Sequence, residues 1–324
     1  VIIQGIVAGI FHRRGGISPP PMRRSGRTTL GGTMEQIWQW GIDIIIIIQK
    51  IRTPFIDSMF IFISSLGTQM FYMLIIPALY WCFDTRTALR IVILFFISSW
   101  LNSVTKDFIS HPRPYNIDPT LKIGHTGGPG IPSGHAQQSL VLWAYLAVWI
   151  KKPLFTIFAV IMVLAIALSR LYLGVHFPTD ILGGWILGIV LLVASWQLFD
   201  RIESAVTALN PGLLTAASII IPAILSCVYA SRWSVAPMGA LSGFCTGLII
   251  GAGETGIAPA NSFKKGALRY VAGIVVLFVI FFGGKFLFTI TTPGYLVYLF
   301  IHSWIMGLWI SAGAPRMFAK LKLS

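Results

Sequence analysis

The feature that most constrains this chain is a succession of apolar runs, each near the length of a membrane crossing and separated from the next by a polar turn. A crossing helix needs roughly 20 predominantly apolar residues, because hydrocarbon offers no partner for an unsatisfied backbone N–H or C=O. Such runs occupy about residues 65–83, 91–105, 136–150, 154–171, 180–199, 213–229, 235–252, 267–288 and 294–310. They predict an all-α, polytopic transmembrane helical bundle of about nine spans. Composition agrees: of 324 residues, 56% are hydrophobic and only 10% charged, against about 25% charged in a soluble domain. The net charge of +14 would suit nucleic acid, but no basic stripe with interleaved aromatics is present. Membrane topology and an anionic ligand explain the cations better, and no nucleic-acid partner is expected. Cys82, Cys227 and Cys245 all sit inside apolar runs and read as small hydrophobes rather than as a disulfide framework.

The chain divides into three parts. Residues 1–33 combine a short apolar stretch with arginines and prolines. They read as a disordered tail or a misassigned start, with Met34 the expected beginning of the coherent chain. Residues 34–200 form a core that holds every charged cluster, and residues 201–324 add further spans whose role the sequence leaves open. Within the core, the apolar patches 44–48 and 59–63 are interrupted by Asp43, Lys50, Arg52, Pro54 and Asp57. They predict amphipathic helices at the interface that lead into the first crossing, with Tyr80 and Trp81 as interfacial anchors. Gly239, Gly243, Gly247 and Gly251 repeat a small residue every four positions, which gives a smooth face for close helix packing.

Three charged clusters lie at the ends of apolar runs: Lys106 with Arg113 and Pro114; Pro132, Ser133, Gly134 and His135; then Ser169, Arg170, His176 and Asp180. Such groups are costly at a membrane span without a ligand. Phosphoryl transfer spreads charge over equatorial oxygens, so it needs positioned cations, and a guanidinium can bind two of those oxygens at once. Lys106, Arg113 and Arg170 suit that task better than three independent snorkelling side chains would. Ser133 and Gly134 precede an apolar run, where the first helical turn presents unpaired N–H groups to an anion. An ordinary N-cap serine is compatible with the same placement. His135 and His176 can each give or take a proton near neutral pH. In a helical segment, Asp180 reaches one imidazole nitrogen of His176 and turns the other outward. His111, His125 and His302 have no comparable partner and read as structural. Asp107, Asp118 and Glu254 lack metal-ligand spacing, so no metal is expected.

These residues spell K-x6-R-P, P-S-G-H and S-R-x5-H-x3-D, and over about residues 34–199 the chain resembles the type 2 phosphatidic acid phosphatase family. The resemblance implies an acid phosphatase/haloperoxidase-like helical core. It implies that His176 is a nucleophile that forms a phosphohistidine, that Asp180 orients it, and that His135 protonates the leaving group. Lys106, Arg113, Ser133, Gly134 and Arg170 would hold the phosphoryl group, with no metal and no other cofactor. The spans after Arg201 depart from six-crossing bacterial members. With residues 41–43, Gln49, Leu101 and Asn102, they look more like the glucose-6-phosphatase branch.

The expectation is a membrane phosphatase acting on a lipid phosphate or diphosphate, with phosphatidate, phosphatidylglycerol phosphate, a sphingoid phosphate and undecaprenyl diphosphate all open. Phosphotransfer or sugar-phosphate hydrolysis on the same scaffold is an alternative, as is a silent lipid-binding or transport protein. Binding alone would not require two titrating histidines, which disfavours the silent version. Arg86, Arg90, Lys151, Lys152, Arg201, Lys264, Lys265, Arg269, Arg316, Lys320 and Lys322 fall on one side of the expected topology. The positive-inside bias therefore puts the clusters on the extracytoplasmic face, in a bacterial inner membrane. The sequence does not give the oligomeric state.

Overall fold

The computed structural model describes residues 29–124, 126–251, 262–287 and 293–323. The expectations for residues 1–28, His125 and Glu254 lie outside the described residues. The chain forms two compact units, Val1–Gln39 and Trp40–Ser324. The described part of the first is the beginning of one helix, α1 (Thr29–Gln49), whose end belongs to the second.

The second unit continues through α2 (Pro54–Ser65), α3 (Gln69–Cys82), α4 (Thr85–Ile109), the short α5 (Pro114–Ile117) and a 3-10 turn at Pro119–Leu121. Then come α6 (Gly134–Ile150), α7 (Pro153–Tyr172), α8 (Pro178–Thr207), α9 (Pro211–Val228) and α10 (Arg232–Gly251). It closes with α11 (Phe263–Leu287), α12 (Tyr295–Leu308), a π-helical turn at Trp309–Gly313 and α13 (Ala314–Lys320). Proline opens many of these helices for a simple reason: its missing N–H would be unpaired in the first turn anyway. The chain is an integral membrane protein. Among the described residues, seven helical stretches are long and apolar enough to cross a membrane, and there are eight if the α2–α3 pair, bent by 45°, is counted as one broken span. Helix α6, with 17 residues, is about 25 Å long and falls just short of a full crossing. The expected nine is thus approached and not reached.

One of the local expectations for this region needs correction. The patch at 59–63 lies in a helix of its own, α2, that leads into α3 as expected. Thr53 caps a new helix by accepting from the Ile56 N–H at 3.2 Å, and that helix pairs with α3 across the bend. Tyr80 and Trp81 are not interfacial anchors, since they are 2% and 0% exposed. Trp81 donates its indole N–H to the Ile310 carbonyl at 2.9 Å and meets Phe318 edge-on. It sits in the seam between the core and the C-terminal helices. Arg269 belongs to the same seam: it is buried, donates to the Leu323 carbonyl at 2.6 Å and to that of Trp81 at 3.3 Å, and so does more than mark topology.

The small-residue stripe packs as expected. A side chain on Gly239, Gly243 or Gly247 of α10 would run into Phe300, Trp304 or Ser311 respectively. At the far end of the core, Arg86 and Arg90 at the start of α4 pair with Asp200 and Glu203 late in α8, with Arg90 Nε 2.7 Å from Glu203 Oε1. Helices α4 and α8 therefore run antiparallel. The other end of α4, with Lys106, and the start of α8, with Asp180, must lie together, roughly 24 Å from Arg90 by helical rise.

Candidate active site

Each motif is held at a helix end by local chemistry. Helix α4 stops where Ser110 turns left-handed (φ 51°) and donates to the Lys106 carbonyl at 2.9 Å. Helix α8 begins with Pro178, and Asp180 reaches back to accept from the Phe177 N–H at 3.0 Å, the acidic half of a capping box. Ser133 stands at the N-cap of α6, but its hydroxyl caps nothing. It is fully buried and has no hydrogen-bond partner among the described residues.

Asp180, itself 0% exposed, is where the motifs meet. Its Oδ2 accepts from His176 Nδ1 at 3.1 Å, and its backbone carbonyl accepts from the Ser133 N–H at 2.8 Å. Gly130 passes so close that a Cβ there would lie 2.9 Å from Asp180 Oδ2. The other nitrogen of His176, Nε2, lies 3.2 Å from Arg113 NH1. A carboxylate only accepts and a guanidinium only donates, so the tautomer follows: the proton is on Nδ1 and the lone pair on Nε2.

The three cations are not equivalent. Lys106 donates to the carbonyls of Pro129 and Gly130 at 3.1 and 3.0 Å. Arg113 spends Nε on Gly128, NH2 on Gly127, and NH1 on Val175 as well as His176. A guanidinium has five N–H bonds, so Arg113 keeps one spare. Arg170 bonds the Ser64 hydroxyl through NH1, and its buried Nε has no partner among the described residues. Arg170 is therefore the guanidinium with donors in reserve. His135, on the first turn of α6, lies within the electrostatic reach of Arg170, His176, Lys106 and Arg113. All eight expected site residues thus fall in one region.

The sequence reading missed four contributors. His111, read there as structural, places Nδ1 3.3 Å from Asp180 Oδ1 and meets Phe177 edge-on at 5.8 Å. Its nearness to Arg113 in the chain was the available signal. Asn102 and Gln137 bond each other at 2.7 Å, and Asn102 also donates to the Pro132 carbonyl at 3.3 Å, which fixes the turn before Ser133. Ser64 positions Arg170. His302 lies elsewhere, bonded to the Ile280 carbonyl at 3.0 Å, and Asp118 caps the 3-10 turn. Among the described residues, no group of three or more His, Cys, Asp or Glu is placed to hold a metal ion.

Burial pushes the His176 imidazolium well below its ordinary pKa; the Arg113 and Lys106 charges push the same way, while Asp180 opposes them. The sign of the linkage follows. Below the unfolded value of about 6.5, the unfolded chain binds a proton that folded His176 refuses, so stability is full above that pH and falls as pH drops. One such proton is worth up to about 1.4 kcal/mol per pH unit. Thermal unfolding between about pH 7.5 and about pH 5 should lose less stability in His176→Gln than in the native chain. Equal pH slopes would mean that His176 titrates normally.

Comparison with known proteins fits this geometry. Residues 87–204 match the PAP2 superfamily, and residues 235–324 match the PAP2 superfamily phosphatase transmembrane extension. Phosphatidylglycerophosphatase B of Bacillus subtilis is 31% identical over 155 residues, covering 44% of this chain and 74% of that protein. Mouse sphingosine-1-phosphate phosphatase 2 is 28% identical over 186 residues, covering 54% of this chain and 51% of its own length. The chain thus spans about half the length of that relative. The crystal structure of a transmembrane PAP2-type phosphatidylglycerolphosphate phosphatase from Bacillus subtilis aligns with a TM-score of 0.44 at 25% identity, over 62% of this chain and 94% of that one. With the three motifs gathered around Asp180 and both regions matched, the chain belongs to the PAP2 superfamily.

Proposed function

We propose that this protein is a membrane phosphatase that hydrolyses a lipid phosphate through a phosphohistidine on His176. The observation that carries the reading is the buried His176, with Asp180 on Nδ1 and a lone pair on Nε2 facing the cationic side of the site. The relatives named above as phosphatidylglycerophosphatase and sphingosine-1-phosphate phosphatase support a lipid phosphate as substrate class. Residues 34–200 carry the chemistry, and residues 201–324 complete the membrane body.

The phosphoryl group sits among Lys106, Arg113, Arg170, the Ser133 hydroxyl and the N–H groups that open α6, and its dianion displaces part of the Arg113 bonding. His176 Nε2 attacks phosphorus while the ester P–O bond breaks. His135, which takes up a proton beside the bound phosphate dianion, gives that proton to the departing lipid oxygen. Water then attacks phosphorus as His135 takes one of its protons, the P–N bond breaks to return the lone pair to His176 Nε2, and inorganic phosphate leaves. Asp180 stabilises the positive charge that grows on His176, and the three cations stabilise the equatorial oxygens.

A lipid alkoxide is strongly basic and needs a proton to leave, whereas p-nitrophenolate can leave without one. The His135→Ala enzyme should lose roughly 10²–10⁴-fold in turnover of a lipid phosphate and far less with p-nitrophenyl phosphate. His176→Ala should be inactive on both. Equal losses on the two substrates for His135→Ala would overturn its role as proton donor.

We also place the site on the extracytoplasmic face of a bacterial inner membrane. The loop near Thr126 and the Lys151–Lys152 turn flank opposite ends of α6, and the basic residues favour the second as cytoplasmic. In a cysteine-free background, a membrane-impermeant thiol reagent should label Thr126→Cys in intact cells and Lys152→Cys only after lysis. The reverse pattern would put the site in the cytoplasm.

A further inference from the structure

A cavity of about 270 Å³ lies beside the catalytic region, between the core and the C-terminal helices. Its core wall includes Tyr72 and Phe95, and its other wall is built by Trp233 and Ala240 of α10 and Met306 of α12. Gly67 and Gly134 line the end nearest the site. A Cβ on Gly67 would lie 2.8 Å from His135 Cδ2, and one on Gly134 would lie 3.1 Å from Asn102 Oδ1. Two glycines therefore separate the His135 ring and its helix start from an apolar chamber. Tyr72 and Gln138, which also line it, each hold a buried side-chain oxygen with no partner among the described residues. Buried polar atoms are rarely left so, and since hydrocarbon can satisfy neither, these two mark a corner of the chamber suited to water, apart from its apolar remainder.

We propose that this cavity takes the alkyl chain of the leaving alcohol, and that α10 and α12 are its outer wall. The inference rests on the phosphatase reading above. In-line displacement puts the leaving oxygen opposite the attacking Nε2, on the side of its proton donor. With His135 as that donor, the carbon chain departs past His135, on the side where only Gly67 and Gly134 stand between the ring and the cavity. The volume decides how much of the lipid enters. It lies just under the roughly 300–1,000 Å³ of ordinary ligand pockets, so it holds one chain, and any second chain stays outside. The extension thereby acquires a role in substrate selection that the core motifs do not supply.

A chain moving from bilayer to cavity gains little, since both are apolar. The test therefore uses soluble alkyl phosphates, from ethyl to octyl, kept below micelle formation, with the protein in lipid nanodiscs. Each buried methylene is worth about 0.8 kcal/mol, or about fourfold, so kcat/KM should climb steeply along the series. Ala240→Phe fills the cavity from the extension side and should cut the octyl-to-ethyl ratio of kcat/KM by about tenfold or more. A flat series in the native protein, or an unchanged ratio in Ala240→Phe, would overturn the proposal. Should that variant fold poorly, octyl phosphate carrying a terminal diazirine, photolysed on the native protein, should label α10 or α12. Labelling confined to helices that do not line the cavity, such as α7 or α8, would overturn the proposal equally. Failure to release phosphate from any ester, p-nitrophenyl phosphate included, would instead count against the phosphatase reading itself.

Discussion

The hydrogen bond between Asp180 and His176 is the interaction on which the rest of the site depends. Burying a carboxylate costs several kcal/mol unless partners compensate it, and Asp180 is fully buried. The compensation comes from two stretches of chain: the His176 ring and the Phe177 N–H donate to Oδ2, and His111 Nδ1 stands 3.3 Å from Oδ1. Its own backbone carbonyl then anchors Ser133 at the head of α6. Fixing one carboxylate in this way sets the tautomer of His176 and the relative placement of three helix ends.

The cations follow a different logic. Three positive side chains brought together repel one another, and each needs acceptors. Lys106 and Arg113 find them in the carbonyls of residues 127–130, so the loop between α5 and α6 is shaped by the charges that a phosphate would neutralise. Among the described residues, Arg170 finds only Ser64 and retains most of its donors. Under the proposed mechanism, Arg170 offers the ready fork, while Arg113 changes partners as substrate enters. That exchange links loop order to occupancy.

Much of this was legible in the sequence because the relevant physics is local or periodic. The apolar runs gave the spans, and the small-residue repeat in α10 gave a close helix contact that the structure places against α12. The i, i+4 spacing of His176 and Asp180 gave their hydrogen bond. What the sequence hid depends on long-range packing. Tyr80 and Trp81 look like interfacial anchors until Phe244 of α10 packs on the first and the π turn and α13 close over the second. His111 looks isolated until the chain returns, 69 residues later, to set Asp180 beside it. In the sequence Ser133 suits both an anion-binding helix start and an ordinary cap, and only the fold shows that its hydroxyl caps nothing. The wall that α10 and α12 raise beside Gly67 and Gly134 is likewise invisible without the fold.

The claim that Nε2 of His176 takes the phosphoryl group is open to direct trapping. Protein mixed with a radiolabelled lipid phosphate and quenched in alkali should retain label, because a phosphohistidine survives alkali and breaks down in acid. Peptide mapping should place that label on His176, and His176→Ala should retain none. Label on His135 or on a serine, or phosphate release at full rate with no alkali-stable phosphoprotein at any quench time, would contradict a covalent role for His176.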